Sequence, residues 1–288
     1  MIKLLLTLLL LLILIGIWVI LYDSTRFVTT KYKIVNCKIQ KQCKALFITD
    51  LHNHTYGRDN HLLLKTIEEC QPDFILIGGD LLTATPGKKM DVAISLLKEL
   101  VKHYPIYYAN GNHEYRLKLY PQTYGTMAEE YEAALQKIGI KRLENERNLL
   151  KEYGIEIFGC EIDKSYYVRF RIPHMEKEYL NSILGEPDHK NYAVLLAHNP
   201  DFFSAYAAWG ADLVLSGHVH GGVVRVPFLG KGVIAPSLRL FPHYDGGLFE
   251  EGNAKMVLSR GMGAHTIPFR MFNPAELVEL SFVPTDDM

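Results

Sequence analysis

The chain reads as an α/β protein: a largely parallel sheet covered by helices, preceded by one transmembrane helix. Three observations predict this. Residues 4–21 are almost unbrokenly apolar, interrupted only by Thr7 and Gly16, close to the roughly 20 residues a helix needs to cross a bilayer. Between residues 45 and 109 apolar strand-like runs alternate with amphipathic helical stretches, an order that implies right-handed parallel crossovers. Five apolar runs also stop abruptly at Asp, Asn or His, at the sheet edge where ligands gather in such folds.

In chain order, 1–24 is the expected transmembrane anchor, 25–40 a linker and edge strand, and 41–288 the catalytic-type domain. The segment 22–26 lacks a small-x-small cleavage site, so an uncleaved anchor is preferred to a signal peptide. Lys3 lies on one side of the span, and Arg26, Lys31, Lys33 and Lys38 lie on the other. That count weakly favours a cytoplasmic domain and leaves orientation open, because long domains translocate despite such charges. Loose alternation over 31–39 suggests the edge strand, and 45–49 the first buried strand. Leu62, Leu63, Ile67 and Cys70 at helical spacing predict a helix over 58–70, which Pro72 stops. Residues 74–79 form the next buried strand, 91–103 a helix with Val92, Leu96, Leu97 and Leu100 on one face, and 106–109 a third strand.

The polar and aromatic stretch 115–124 reads as a loop over the sheet edge. An amphipathic helix follows at 126–138, short strands within 140–150 and 155–159, a helix near 174–184 and a strand at 192–197. Val and Leu at 213–215 form another buried strand that ends at Gly217; strands are then expected at 223–228, 232–235, 255–259 and 276–282. A basic, aromatic loop at 237–244 separates them. The 31 basic and 32 acidic residues give a formal net charge of −1, so no basic field argues for nucleic acid and no acidic tail for disorder. Cys37, Cys43, Cys70 and Cys160 are scattered without a CxxC pair, which indicates neither a disulfide framework nor a zinc ribbon.

The strand ends carry the chemistry. They present Asp50 and His52, then Asp80, then Asn112 and His113, then His198, then His218 and His220. Each alone has an ordinary reading as a turn residue, but their repetition at five strand ends does not. Carboxylate, imidazole and amide without thiolate suit divalent or trivalent metals such as manganese, iron or zinc rather than a structural cysteine site. A turn after Gly217 could aim His218 and His220 at two points a few ångströms apart.

The order Asp-x-His, Gly-Asp, Gly-Asn-His-Glu, His, Gly-His-x-His resembles the calcineurin-like metallophosphoesterases. Pro236-Ser237, Phe241-Pro242, Gly246-Gly247-Leu248, Ser259-Arg260-Gly261 and Pro268-Phe269-Arg270 resemble more narrowly its membrane-associated YaeI- and YkuE-like branch. The resemblance implies a four-layer αββα sandwich with two metals at its edge, manganese favoured. It implies Asp50, His52 and His220 on the first metal, Asn112, His198 and His218 on the second, and Asp80 bridging both. It implies hydrolysis of a phosphodiester or pyrophosphate bond by a metal-bridging hydroxide, since two cations about 3.5–4 Å apart acidify the water they share. His113 is then the acid that protonates the leaving oxygen. Where phosphoprotein phosphatases of this superfamily carry an aspartate that orients this histidine, the chain has Thr83, which weakens a phosphoprotein phosphatase reading.

His54, Arg239, His243 and Arg270 are candidate substrate contacts, and His265 is unassigned. The expected partners are the membrane, through the anchor, and a phosphorylated small molecule or lipid. No nucleic acid is expected and no protein partner is indicated. The competing reading is a non-catalytic scaffold or a phosphomonoesterase.

Overall fold

The computed structural model describes residues 1–168, 171–235, 238–264 and 268–285. Helix α1 (Ile2–Thr25) carries the apolar run and is long and apolar enough to cross a membrane, with a mean hydropathy of 3.2. Behind it lie two sheets. The first takes the order β1 (Phe27–Val35), β11 (Ala275–Val283), β2 (Cys43–Ile48), β3 (Phe74–Ile77), β4 (Ile106–Tyr108). The second takes the order β5 (Arg147–Leu150), β6 (Ile155–Cys160), β7 (Tyr192–Ala197), β8 (Leu213–Ser216), β10 (Ala254–Leu258), β9 (Gly247–Glu251). Strands β2, β3 and β4 are parallel, as are β6, β7, β8 and β10; β11 runs antiparallel to β2.

Period-2 alternation explains why the strands read as continuous apolar runs, since both faces are buried. On β2, Ala45 and Phe47 point into the core between the sheets, whereas Leu46 and Ile48 meet α2 (His61–Cys70), α3 (Asp91–Leu100) and α6 (Met127–Lys137). On β7, Val194 and Leu196 point inward, and Ala193, Leu195 and Ala197 pack under α7 (Lys177–Leu184) and α8 (Phe203–Trp209). Helix, sheet, sheet and helix thus give the αββα sandwich. Leu280 of β11 is fully buried between the sheets. Leu280→Ala is expected to cost about 2–5 kcal/mol in denaturant unfolding; an unchanged midpoint would contradict a close-packed core there.

Two expectations fail and two elements go unpredicted. The stretch 115–124, expected as a loop, folds as α4 (Asn112–Leu119) and α5 (Pro121–Tyr124). Its pattern is hidden because α4 buries only His113, Glu114 and Leu117, and polar His and Glu do not read as a core face. Helix α8 goes unpredicted because it is only seven residues long, although Phe203, Tyr206 and Trp209 recur at helical spacing. The strands expected at 223–228 and 232–235 reduce to isolated bridges, with Val223 and Phe228 in the left-handed region. Edge strand β9 also escapes the pattern. All four cysteines are free.

Candidate metal centre

The expected ligand residues leave the carboxyl ends of five strands and meet at one rim between the sheets. Asp50 and His52 follow β2, Asp80 follows β3, Asn112 and His113 open α4 after β4, His198 follows β7, and His218 and His220 follow β8. Five of them sit at positive φ: Asp50 53°, His52 49°, Asp80 53°, His218 71° and His220 53°. Each such non-glycine residue costs on the order of 1 kcal/mol or more, and the turn it makes throws a side chain sideways off its strand end. Two glycines make room for the carboxylates. A Cβ on Gly217 would lie 2.1 Å from Asp50 Oδ2, and one on Gly111 2.2 Å from Asp80 Oδ1. Gly261, in the Ser259-Arg260-Gly261 motif, backs the other side of Asp50.

The side chains form three overlapping groups able to hold a cation: Asp50, His52 and His220; Asp80, His198 and His218; and His52, Asp80 and His113. Within each group the donor atoms lie within 4.8 Å of one another. His52 Nε2 and His220 Nε2 face each other at 3.1 Å, and His220 Nε2 is 3.3 Å from Asp50 Oδ1. His198 Nε2 stands 3.1 Å from Asp80 Oδ2 and 3.7 Å from Asp50 Oδ1. The turn after Gly217 therefore sends His218 and His220 to different groups.

Backbone groups hold the rims of these rings. His198 Nδ1 pairs with Gly78 O at 2.7 Å and His220 Nδ1 with Gly263 O at 3.1 Å; carbonyls there fix the proton on Nδ1 and turn Nε2 inward as an electron-pair donor. His218 N donates to both Asp50 oxygens at 3.1 Å, and His113 N to Asp80 Oδ1 at 2.7 Å.

The donor set fits a cation on two further observations. Among the described residues, the buried atom Asn112 Oδ1 lacks a hydrogen-bond partner, an expensive condition unless something else is bound. Asp50 and Asp80 are also almost wholly buried, at 0% and 1% exposure, and two buried carboxylates side by side call for positive charge. Burial pushes the Asp50 carboxyl up to about 7, helped by Asp80 and opposed by His198. Burial acts against the charge of Asp80 too, but His198, His113 and His52 outweigh it and hold Asp80 well below the usual carboxylate range. Burial opposes a charge on His198, yet Asp80 and Asp50 raise its pKa to about 10.

Without a cation, a proton on His198 therefore partly balances the two carboxylates at neutral pH. A cation must displace that proton, and below about pH 7 one on Asp50 as well, so cation affinity should rise with pH across the neutral range. Each proton displaced contributes up to about tenfold per pH unit. Calorimetric Mn²⁺ titrations at about pH 6 and about pH 8, in buffers of different ionisation heat, read both affinity and proton release; equal affinity without proton release would refute this balance.

Thr83, at the position of the phosphoprotein phosphatase aspartate, touches His52 instead, with its Oγ1 3.4 Å from Nδ1 and 3.3 Å from the carbonyl oxygen. The next residue does the work on His113: Ala84 N donates to His113 Nδ1 at 2.8 Å. A backbone N–H can only donate, so the proton of the neutral ring sits on Nε2, 3.9 Å from Asp80 Oδ2.

Of the candidate substrate contacts, Arg239 lies close enough to His218 for its charge to act on that ring, and pairs with Asp201 at 2.7 Å. His54 stacks edge-on to Tyr56 with ring centroids 4.7 Å apart, and exposed His243 stacks on Tyr244. Arg270 differs from the expectation. It is buried, and its guanidinium donates to the carbonyls of Arg260, Gly261 and Gly263, so its charge is committed to the loop that carries His220's partner. His265 and Pro236-Ser237 lie outside the described residues. Two residues that support the site went unassigned in the sequence. Glu114 binds the backbone under Asp80, and Asn273 Nδ2 donates to His220 O at 2.7 Å. The Glu of Gly-Asn-His-Glu was a visible signal, whereas Asn273 carried none.

A four-layer sandwich whose strand ends gather buried carboxylates and imidazoles into overlapping cation-sized groups is the architecture of a metallohydrolase. The chain belongs to the calcineurin-like phosphoesterase family, whose family model matches residues 43–222. Its relatives include an uncharacterized metallophosphoesterase of Campylobacter jejuni, 29% identical over 88% of this chain and 63% of that protein. The uncharacterized metallophosphoesterase YkuE of Bacillus subtilis is 24% identical over 84% of this chain and 80% of that protein. A bovine protein described as a transmembrane protein with a metallophosphoesterase domain is 25% identical over 82% of this chain and 52% of that protein. The chain thus spans less than two thirds of the Campylobacter and bovine relatives.

Proposed function

We propose that the protein is a membrane-anchored, dinuclear metal-dependent phosphoesterase that cleaves phosphodiester or pyrophosphate bonds, with lipid-linked phosphates as its substrate class. The observation that carries this reading is the overlap of the three donor groups, which share His52 and Asp80 and contain both buried carboxylates, while the buried Asn112 Oδ1 has no hydrogen-bond partner. Asp50, His52 and His220 would hold one cation, Asn112, His198 and His218 the other, and Asp80 would lie between them. Donors of oxygen and nitrogen without thiolate suit manganese, iron or zinc, and the family resemblance favours manganese among them. When bound, such a pair supplies Lewis acidity toward phosphoryl oxygens and acidifies water at neutral pH.

The chain's own groups supply the rest. His113, held by Ala84 N and carrying its proton on Nε2, is positioned to give that proton to the leaving oxygen. Arg239 near His218 offers a guanidinium to a non-reacting phosphate oxygen. The apolar helix and the bovine relative's printed description support anchoring, and an anchor keeps the site near headgroups. Purified full-length protein with Mn²⁺ is expected to hydrolyse bis(p-nitrophenyl) phosphate and a lipid pyrophosphate. Activity on neither would end the reading, and activity on the soluble diester alone would remove the lipid substrate.

A further inference from the structure

The segment that follows His220 carries an apolar surface that the proposed chemistry does not use. Val226 N donates to Lys231 O at 2.8 Å and Val233 N to Val224 O at 2.8 Å, closing a hairpin with Phe228 and Leu229 at its tip. A second pairing sets Phe241 N on Val233 O and Ala235 N on Arg239 O, both at 2.9 Å. Phe228 is fully exposed, Leu229 is 74% exposed, and Leu240 and Phe241 are 66% exposed each. Four large apolar side chains exposed on two stretches joined by backbone hydrogen bonds mark an interaction site, and Lys231 at the tip is the kind of flanking cation that reaches back to headgroups.

The position of this surface identifies what covers it. The hairpin is bridged to Met271, through Arg225 N to Met271 O at 3.0 Å and Met271 N to Val223 O at 3.3 Å. Met271 Cε in turn lies 3.9 Å from where a Cβ on Gly16 of α1 would sit. Further along that face of the helix Val19 and Asp23 are buried, Asp23 Oδ2 accepts from Asn273 N at 3.1 Å, and Ser24 Oγ accepts from Arg270 N at 3.0 Å. The anchor's last turns are therefore docked on the strap that carries the hairpin. Residues 2–15, the part of α1 clear of the domain, would span only about 21 Å at ~1.5 Å per residue, against a hydrocarbon core of about 30 Å. To cross, the helix must also sink its turns near Gly16 and Val19 into the apolar layer. Whatever is fixed beside them goes to the same depth.

We propose that the surface bearing Phe228, Leu229, Leu240 and Phe241 inserts into the lipid leaflet beside the anchor and seats the His220 side of the cation cage on the headgroups. This rests on the membrane-anchored reading and deepens it, because a site held there meets phosphates of the lipid surface first. The test places tryptophan at the tip. Phe228→Trp, and separately Phe241→Trp, are made in full-length protein in a Trp18→Phe background, the emission of buried Trp209 measured in that background is subtracted, and each variant is reconstituted into vesicles of phosphatidylethanolamine and phosphatidylglycerol with brominated acyl chains. Each added indole is expected to emit at shorter wavelength and to lose roughly half its intensity to bromine, as suits a side chain about 5–10 Å into the interface. Leu149→Trp on β5, paired with Glu156 at the end of the sheet opposite the cage, should show no loss. Protein that sediments with vesicles while both tip indoles stay open to aqueous acrylamide and indifferent to bromine would overturn the insertion and leave the anchor standing. Protein that does not sediment with vesicles would overturn both.

Discussion

Asp80→Asn should abolish hydrolysis of bis(p-nitrophenyl) phosphate to within a factor of background while the protein still folds. The substitution keeps the shape of the side chain and an oxygen for His113 N, which donates to Oδ1 at 2.7 Å. It removes one negative charge from a buried place that faces His198, His52 and His113 at 3.1, 3.8 and 3.9 Å. If Asp80 lies between two cations, that charge is the largest single term keeping them together. Its loss should cost several kcal/mol of transition-state stabilisation, about 10³-fold or more in rate, and elemental analysis should find fewer bound cations per chain. Wild-type rate and full cation content in Asp80→Asn would rule out the shared carboxylate and, with it, the dinuclear reading. Alanine is the poorer probe, because it also deprives His113 N of its acceptor.

The site was legible because its geometry follows from topology. Parallel strands buried on both faces appear in the sequence as apolar runs, their carboxyl ends must share an edge, and so Asp50, Asp80, Asn112, His198 and the two histidines after Gly217 could be brought together without knowing a single distance. The turns themselves were not legible. Asp and His enter the left-handed region more readily than most residues, but nothing in the sequence says that Asp50 and His218 do so, and the room that Gly217 and Gly111 leave for the two carboxylates is a matter of packing. Arg270 shows the same limit from another side. An arginine near other site residues suggests a phosphate contact, and only packing reveals that its guanidinium is taken up by three carbonyls. Helix α4 was hidden because what starts it is a carboxylate reaching across to β3, a contact with no periodic signature.

That carboxylate belongs to Glu114, and its removal should have the largest effect on stability of any single change near the site. Glu114 is 1% exposed. Oε2 accepts from Asp80 N at 2.8 Å and Gly111 N at 3.0 Å, and Oε1 from Leu81 N at 2.9 Å and Tyr108 Oη at 2.8 Å. Three of these donors are backbone groups that cannot turn away, and they bind the end of β3 to the first turn of α4, the two pieces that present Asp80, Asn112 and His113. Glu114→Ala strands all three in a dry interior at about 1–3 kcal/mol each, so a loss of about 4 kcal/mol or more is expected in denaturant unfolding. Glu114→Gln separates the hydrogen bonds from the volume. An amide offers one oxygen and a pair of N–H groups; turned with its nitrogen toward Leu81 N and the Tyr108 hydroxyl, which can rotate to accept, it still opposes one fixed backbone N–H, and turned the other way it opposes two, so it should recover only part of the loss. Tyr108→Phe removes a single hydroxyl from the same carboxylate and should cost no more than about 1–2 kcal/mol. If Glu114→Gln proved as stable as the parent, the carboxylate would be dispensable as an acceptor, and the placing of Asp80 beside His113 would have to rest on packing alone.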